Sequence, residues 1–134
     1  MRIDGACHCG FIAYEAEVDP DETSICHCID CQTLSGSALR VSVSADRESF
    51  RILHGEPAIY IKVADSGTRR AQAFCPKCGS PIYATAADDS DAGYNIRVGT
   101  IRQRDRLVPT KQIWMSSAQP WIEAIGSIHG TKKE

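Results

Sequence analysis

An all-β fold follows from three observations on this chain. Apolar and polar residues alternate in segment after segment, helical periodicity is hard to find, and Gly, Pro, Asp and Ser break up the runs. Alternation with a period of two buries one face of a strand and leaves the other polar. In residues 12–18, Ile12, Tyr14, Ala16 and Val18 share one face, with Glu15 and Glu17 opposite. In residues 39–44, Leu39, Val41 and Val43 interleave with Arg40, Ser42 and Ser44. Ile59, Ile61 and Val63 alternate with Tyr60 and Lys62, and Tyr94, Ile96 and Val98 with Asn95 and Arg97. Shorter strands are expected over 50–53, 70–74, 81–85 and 111–115. Turn-rich connections lie at 54–57, 64–67 and 86–93, and the acidic stretch 87–91 reads as the most mobile. Helical turns are expected over 45–49, where Ser44 or Asp46 can cap, and after Cys31. Tyr14, Tyr60, Tyr83 and Tyr94 read as packing residues within strands, and Trp114 and Trp121 as partly buried core.

The chain has 134 residues, which is the size of one domain, 1–134, with a real core that metal cross-links would help to hold. A formal charge of −2 encodes no pull toward nucleic acid or an anionic membrane. No apolar stretch approaches the roughly 20 residues of a membrane span. The N-terminal residues contain no apolar run of signal-peptide type, so the expected setting is a reducing cytoplasm.

Seven cysteines in three tight clusters carry the chemistry: Cys7-His8-Cys9, Cys26-His27-Cys28-Ile29-Asp30-Cys31 and Cys75-Pro76-Lys77-Cys78. Cysteines one or two residues apart present their sulfurs to one point, and an odd total leaves an orphan in any disulfide scheme. Cys75-Pro76-Lys77-Cys78-Gly79 reads as a zinc knuckle, and Cys7-His8-Cys9-Gly10 as a shorter pair. Two such pairs make a closed four-sulfur site, the arrangement of a structural zinc. Cys26, Cys28 and Cys31 remain, three thiols that can chelate one metal and leave a fourth position open, as catalytic zinc sites do. A distant residue could instead close that site structurally. His8 and His27 each lie between two ligating cysteines, where the ring tends to point away, and His54 and His129 read as surface residues.

Three thiolates on a divalent zinc leave a net charge of about −1, which weakens Lewis acidity and makes hydroxide generation poor. Such a centre suits a coordinated thiol, deprotonated yet still electron-rich, attacking a small electrophilic carbon.

These residues are similar to a known pattern. Cys7-His8-Cys9-Gly10, the run from Cys26 through Ser37, Gly55-Glu56-Pro57, Phe74-Cys75-Pro76-Lys77-Cys78-Gly79-Ser80, Val98-Gly99-Thr100 and the stretch from Trp114 to Trp121 resemble the glutathione-dependent formaldehyde-activating enzyme family, which also includes centromere protein V. The resemblance implies a β-tent fold shared with zinc proteins that bind Rab GTPases, and two zinc ions per chain. By likeness, Cys7, Cys9, Cys75 and Cys78 hold a structural zinc, and Cys26, Cys28 and Cys31 a catalytic one. The implied activity joins glutathione to formaldehyde as S-(hydroxymethyl)glutathione, formally a carbon-sulfur lyase run in reverse. The chain departs from many relatives at Gln112, where they carry histidine; glutamine keeps a hydrogen-bonding group but is no acid or base near neutral pH.

The expected partners are therefore a small thiol, glutathione foremost, and an aldehyde. Glutathione's two carboxylates call for arginines, and Arg40, Arg69, Arg70 and Arg97 are the candidates by charge, with solvent-facing positions the competing expectation. Two other readings stay open. A non-catalytic module with two structural zincs would show exposed aromatic residues and a basic patch, for which Arg102, Arg104 and Arg106 are the only concentration. A redox or metal-sensing switch would oxidise the triple cluster reversibly.

Overall fold

The computed structural model describes every residue, Met1–Glu134. Nine strands follow in order: β1 (Arg2–Ala6), β2 (Ala13–Cys26), β3 (Arg40–Ala45), β4 (Arg51–His54), β5 (Ala58–Val63), β6 (Arg69–Phe74), β7 (Pro81–Ala86), β8 (Tyr94–Arg97) and β9 (Lys111–Ile113). One α-helix, α1 (Ile29–Ser35), sits between β2 and β3, and the remaining helical turns are short 3-10 segments. All pairings are antiparallel except that of β9 with β2.

β2 is the axis of the fold. Its first half pairs with β1 on one side and β4 on the other, and its second half with β3 and β9. From β3 the larger sheet continues through β8, β7 and β6 to β5. Two sheets thus share one strand, which matches the antiparallel, tent-like all-β architecture expected. The halves of β2 part at a register shift between Val18 and Thr23. Pro20 lies within that shift, where the ladder does not need the N–H that proline lacks.

That bulge explains the main difference from the sequence reading, which ended this strand at Val18. The Asp19-Pro20-Asp21-Glu22 run looks like a turn, yet pairing on both flanks carries the strand on to Cys26. β1 was also not expected, because Arg2-Ile3-Asp4-Gly5-Ala6 offers one large apolar side chain and becomes a strand only by pairing with β2. α1 starts at Ile29, ahead of the helical turn expected after Cys31.

The core gathers the inward faces of the strands. Ile3, Ile12, Tyr14, Val43, Ile82, Ile96 and Ile101 are completely or almost completely buried. Phe50 anchors an aromatic cluster, with ring centroids 5.4 Å from Tyr14, 5.1 Å from Tyr83 and 4.6 Å from Tyr94. Pairs of this kind contribute about 0.5–1.5 kcal/mol each beyond their buried area. Tyr60 departs from the packing expectation: it lies on the outermost strand, β5, and is 54% exposed. No helix is long and apolar enough to cross a membrane.

Candidate metal centres and candidate active site

The loop between β1 and β2 and the loop between β6 and β7 bring Cys7, Cys9, Cys75 and Cys78 together, with all four sulfurs within 4.8 Å of one another. Each loop turns tightly. Gly10 N–H donates to the Cys7 carbonyl at 3.1 Å and Gly79 N–H to the Cys75 carbonyl at 2.8 Å. Both glycines adopt positive φ, 81° and 79°, which a residue bearing Cβ takes only with strain. Cys7 Sγ accepts the Ile12 N–H at 3.2 Å and Cys75 Sγ the Lys77 N–H at 3.4 Å. The loops are also joined directly, His8 N–H donating to Ser80 Oγ at 3.0 Å.

Cys26 ends β2, Cys28 is the N-cap of α1 and Cys31 lies in its first turn, so three elements of local structure aim three sulfurs at one point. The Cys31 N–H donates to Cys28 Sγ at 3.2 Å, a sulfur doing the work a serine oxygen often does at a helix start. The left-handed Gly36, φ 64°, closes the helix.

Both clusters are compatible with a bound metal, and the four-sulfur group has the spacing of a tetrahedral one. Zn–S bonds of about 2.3 Å imply an S···S edge of about 3.8 Å. Cys7 and Cys9 sulfurs stand 3.6 Å apart, and those of Cys9 and Cys75 3.8 Å. All seven cysteines are free of disulfides. Electrostatics points the same way. Burial first, then the neighbouring Cys26 and Cys28, pushes the Cys31 thiol up to about 12. Burial also raises Cys26, while Cys28 is lowered because the Cys31 N–H and its sulfur neighbours outweigh the desolvation. Holding all three as thiolates would call for a cation among them. In the other cluster, hydrogen bonds from the Ser80 side chain and backbone and from the Cys9 backbone bring Cys78 down to about 5. His8 and His27 belong to neither sulfur group, as expected.

The three-sulfur cluster opens onto a cavity of about 460 Å³, within the usual range of small-molecule sites. Its floor is the polar face of the larger sheet. Strand pairing sets Cys26 opposite Arg40, Ser24 opposite Ser42, Ser42 opposite Arg97, and Ser44 opposite Asn95, so these side chains share one surface. Gln72 lines the cavity from β6, across the small Ala84, and Ile113 and Trp114 line it from the C-terminal side.

Two of the floor residues are buried arginines, Arg40 at 6% exposure and Arg97 at 9%. Arg97 donates to Ser42 Oγ at 2.9 Å and to Gln72 Oε1 at 2.8 Å, and Arg40 reaches the same Gln72 oxygen at 3.3 Å. Burial, followed by the charge of Arg40, pulls Arg97 down to about 9, so it remains charged at neutral pH. Of the four arginines suggested by charge, Arg70 also lines the cavity, whereas Arg69 pairs with Asp88 at 2.8 Å outside it. Sequence patterning had put Arg40 and Arg97 on a polar face and could not distinguish that face from solvent.

Other expectations need correction or refinement. Trp114 is not core: it is 61% exposed at the cavity edge, with a left-handed φ of 58° that stores about 1–3 kcal/mol of strain. Trp121 is likewise exposed. Lys111 and Ile113 of β9 line the cavity, and Gln112 between them does not. Gln112 Oε1 instead lies 2.8 Å from Nε2 of the fully buried His27. His54 and His129 are exposed, as expected. In the basic stretch, Arg102 pairs with Asp4 at 2.8 Å and Arg104 bonds the Ile101 carbonyl at 3.1 Å, which leaves Arg106 as the one exposed arginine of the three whose side chain has no partner. Gln32 was missed altogether. Its side chain donates to the carbonyls of His27 and Ser117 at 2.7 and 3.0 Å and accepts from Gln119 at 2.8 Å, tying α1 to the C-terminal segment.

Fold and site together define a small antiparallel β protein with two thiolate clusters suited to metal, one closed at four sulfurs and one left at three beside a cavity. Residues 2–117 match the profile of the family described as "Glutathione-dependent formaldehyde-activating enzyme", and the chain belongs to that family. A search of curated proteins finds no match. Among solved structures, the chain is similar to a crystal structure of a Rhodobacter sphaeroides protein, with a TM-score of 0.62 and 19% identity over 81% of this chain and 98% of that one. That likeness extends to the fold.

Proposed function

We propose that this chain is a zinc-dependent enzyme that joins a thiol such as glutathione to a small aldehyde such as formaldehyde, giving an S-hydroxymethyl adduct, a carbon-sulfur lyase reaction run toward synthesis. The carrying observation is the asymmetry of the two clusters: the group of four sulfurs sits away from the cavity, and the group of three lies on its wall. In this reading residues 1–134 form one domain, working in the cytoplasm, with two zinc ions. Cys7, Cys9, Cys75 and Cys78 hold the structural ion, and Cys26, Cys28 and Cys31 the catalytic one.

Zinc at the three-sulfur site would supply the charge that ionises an incoming thiol, while three thiolate neighbours keep that sulfur nucleophilic. The chain's own residues provide position and charge. The end of β2 and the first turn of α1 fix the trio, and Lys62, paired with Asp30 at 2.8 Å, stands at the cavity wall beside it. In the overall reaction the thiol sulfur bonds to the aldehyde carbon, and the carbonyl π electrons move to oxygen. That oxygen takes up one proton for the one the thiol gave up.

The test is formaldehyde consumption with glutathione, comparing the zinc-loaded protein, its Cys31→Ser variant and a protein-free control. Acceleration by the first alone is expected, and equal rates in all three refute this substrate pair. The exposed Trp121, Ile125 and Ile128 favour a second reading, a binding module with two structural zincs. Cobalt substitution separates the two: glutathione changes the spectrum of one metal only if that metal has a free position.

A further inference from the structure

Burying a guanidinium without a counter-charge is costly, and burying two side by side is more so. Arg40 and Arg97 share one neutral acceptor, Gln72, and neither forms a salt bridge. Their Nε atoms are buried without a partner. Elsewhere in the cavity, cations and anions cancel: Lys62 pairs with Asp30 and Lys111 with Glu22. Arg40, Arg70 and Arg97 are the charges left over. A three-thiolate zinc, at about −1, offsets only one of them.

Register decides where that surplus lies. Arg40 is directly opposite Cys26, and Arg97 is one strand further on, opposite Ser42. Ala84 offers only a methyl group between Asn95 and Gln72, so Arg97 extends across it and Gln72 braces both guanidiniums. The result is a rigid pair of fork-shaped donors on the sheet floor, adjoining the sulfur trio.

We propose that Arg40 and Arg97, braced by Gln72, form a carboxylate-binding subsite that restricts the thiol substrate to carboxylate-bearing thiols and fixes its sulfur toward Cys26, Cys28 and Cys31. This rests on the reading that the trio takes up a thiol. With its sulfur ionised, glutathione carries a net charge of about −2, which matches the two positive charges left uncompensated. Guanidinium forks recognise carboxylates through paired hydrogen bonds that a neutral thiol or an ester cannot form equally well. Arg40 and Arg97 are thus specificity-determining residues, and Gln72 is a positioning residue.

The test uses S-methylglutathione, whose blocked sulfur separates carboxylate binding from the chemistry at the trio. Its affinity for the zinc-loaded protein is measured by calorimetry beside that of its dimethyl ester, in the wild type and in Arg40→Gln and Arg97→Gln. The acid is expected to bind the wild type at least tenfold more tightly than the ester does. Each substitution should remove most of that difference while leaving zinc content and ester binding unchanged. Equal binding of acid and ester by the wild type overturns the subsite whatever the variants do, as does no binding of the acid at all, or a preference for acid that survives in both variants. The underlying reading has its own readout, the spectrum of the cobalt-substituted wild type with glutathione. A response there with no acid preference leaves the thiol-binding metal standing and removes the arginine subsite. An acid preference without that response does the reverse.

Discussion

Tyr14 shows how much a single residue takes on in so small a core. Its ring is fully buried against Phe50, its hydroxyl lies 2.6 Å from Thr100 Oγ1, and Gly5 opposite it on β1 has no room for a Cβ, which would collide with the tyrosine ring and the Thr100 carbonyl. Burial pushes the phenol up to about 12, against the Thr100 hydrogen bond, which lowers it. An unfolded tyrosine ionises near pH 10, so the folded state holds its proton longer. The stabilisation from that proton is complete below about pH 10 and is lost as pH rises toward about 12, an alkaline loss on the order of 2–3 kcal/mol. Urea midpoints between pH 8 and 12 should therefore fall more steeply for the wild type than for Tyr14→Phe. The variant starts about 1 kcal/mol lower, having lost the hydroxyl bond. Parallel profiles would show that Tyr14 is not the group responsible.

At the scale of elements, α1 and β9 close the cavity from one side, and their tie is polar. Gln32 bonds the carbonyls on either side of the gap, and the His27 N–H donates to the Ile113 carbonyl at 3.1 Å. Gln32→Ala removes three side-chain hydrogen bonds, about 1 kcal/mol apiece, with little change to the apolar core. The expected outcome is local: faster hydrogen exchange at the Ser117 and Ala118 amides, which close the turn after Trp114, with the β6–β7 ladder still protected. Unchanged exchange at those two amides would mean that the C-terminal segment is held by something other than Gln32.

For the whole molecule, the two sulfur clusters differ in what they join. Cys9 and Cys75 are 66 residues apart in sequence. By the loop-closure relation, a cross-link over that span removes on the order of 4 kcal/mol of freedom from the unfolded chain, against about 2 kcal/mol for the six-residue trio. Total stability for a domain is about 5–15 kcal/mol, so a metal held by the four sulfurs would be a large part of it. Cys78→Ser is expected to lower the thermal midpoint strongly. Cys31→Ser should lower it much less while abolishing turnover, and chelation under reducing conditions should act like the former. Midpoints ranked the other way would mean that the trio, not the four-sulfur cluster, staples the fold.

The sequence by itself determined the strands whose apolar residues alternate, such as those around Val43 and Ile96, and the division of seven cysteines into two close pairs and one trio. Both are short-range properties: a pleat repeats every two residues, and ligand pairs lie within one turn of chain. Tertiary structure alone decided that β1 exists, that β2 runs past Pro20 to Cys26, and that Trp114 stands at the cavity edge. It also turned Arg40 and Arg97 from members of a polar face into the buried floor of a cavity. Each of these depends on which strand lies alongside and in what register, and on α1 and β9 flanking the sheet, and no local pattern of residues specifies that.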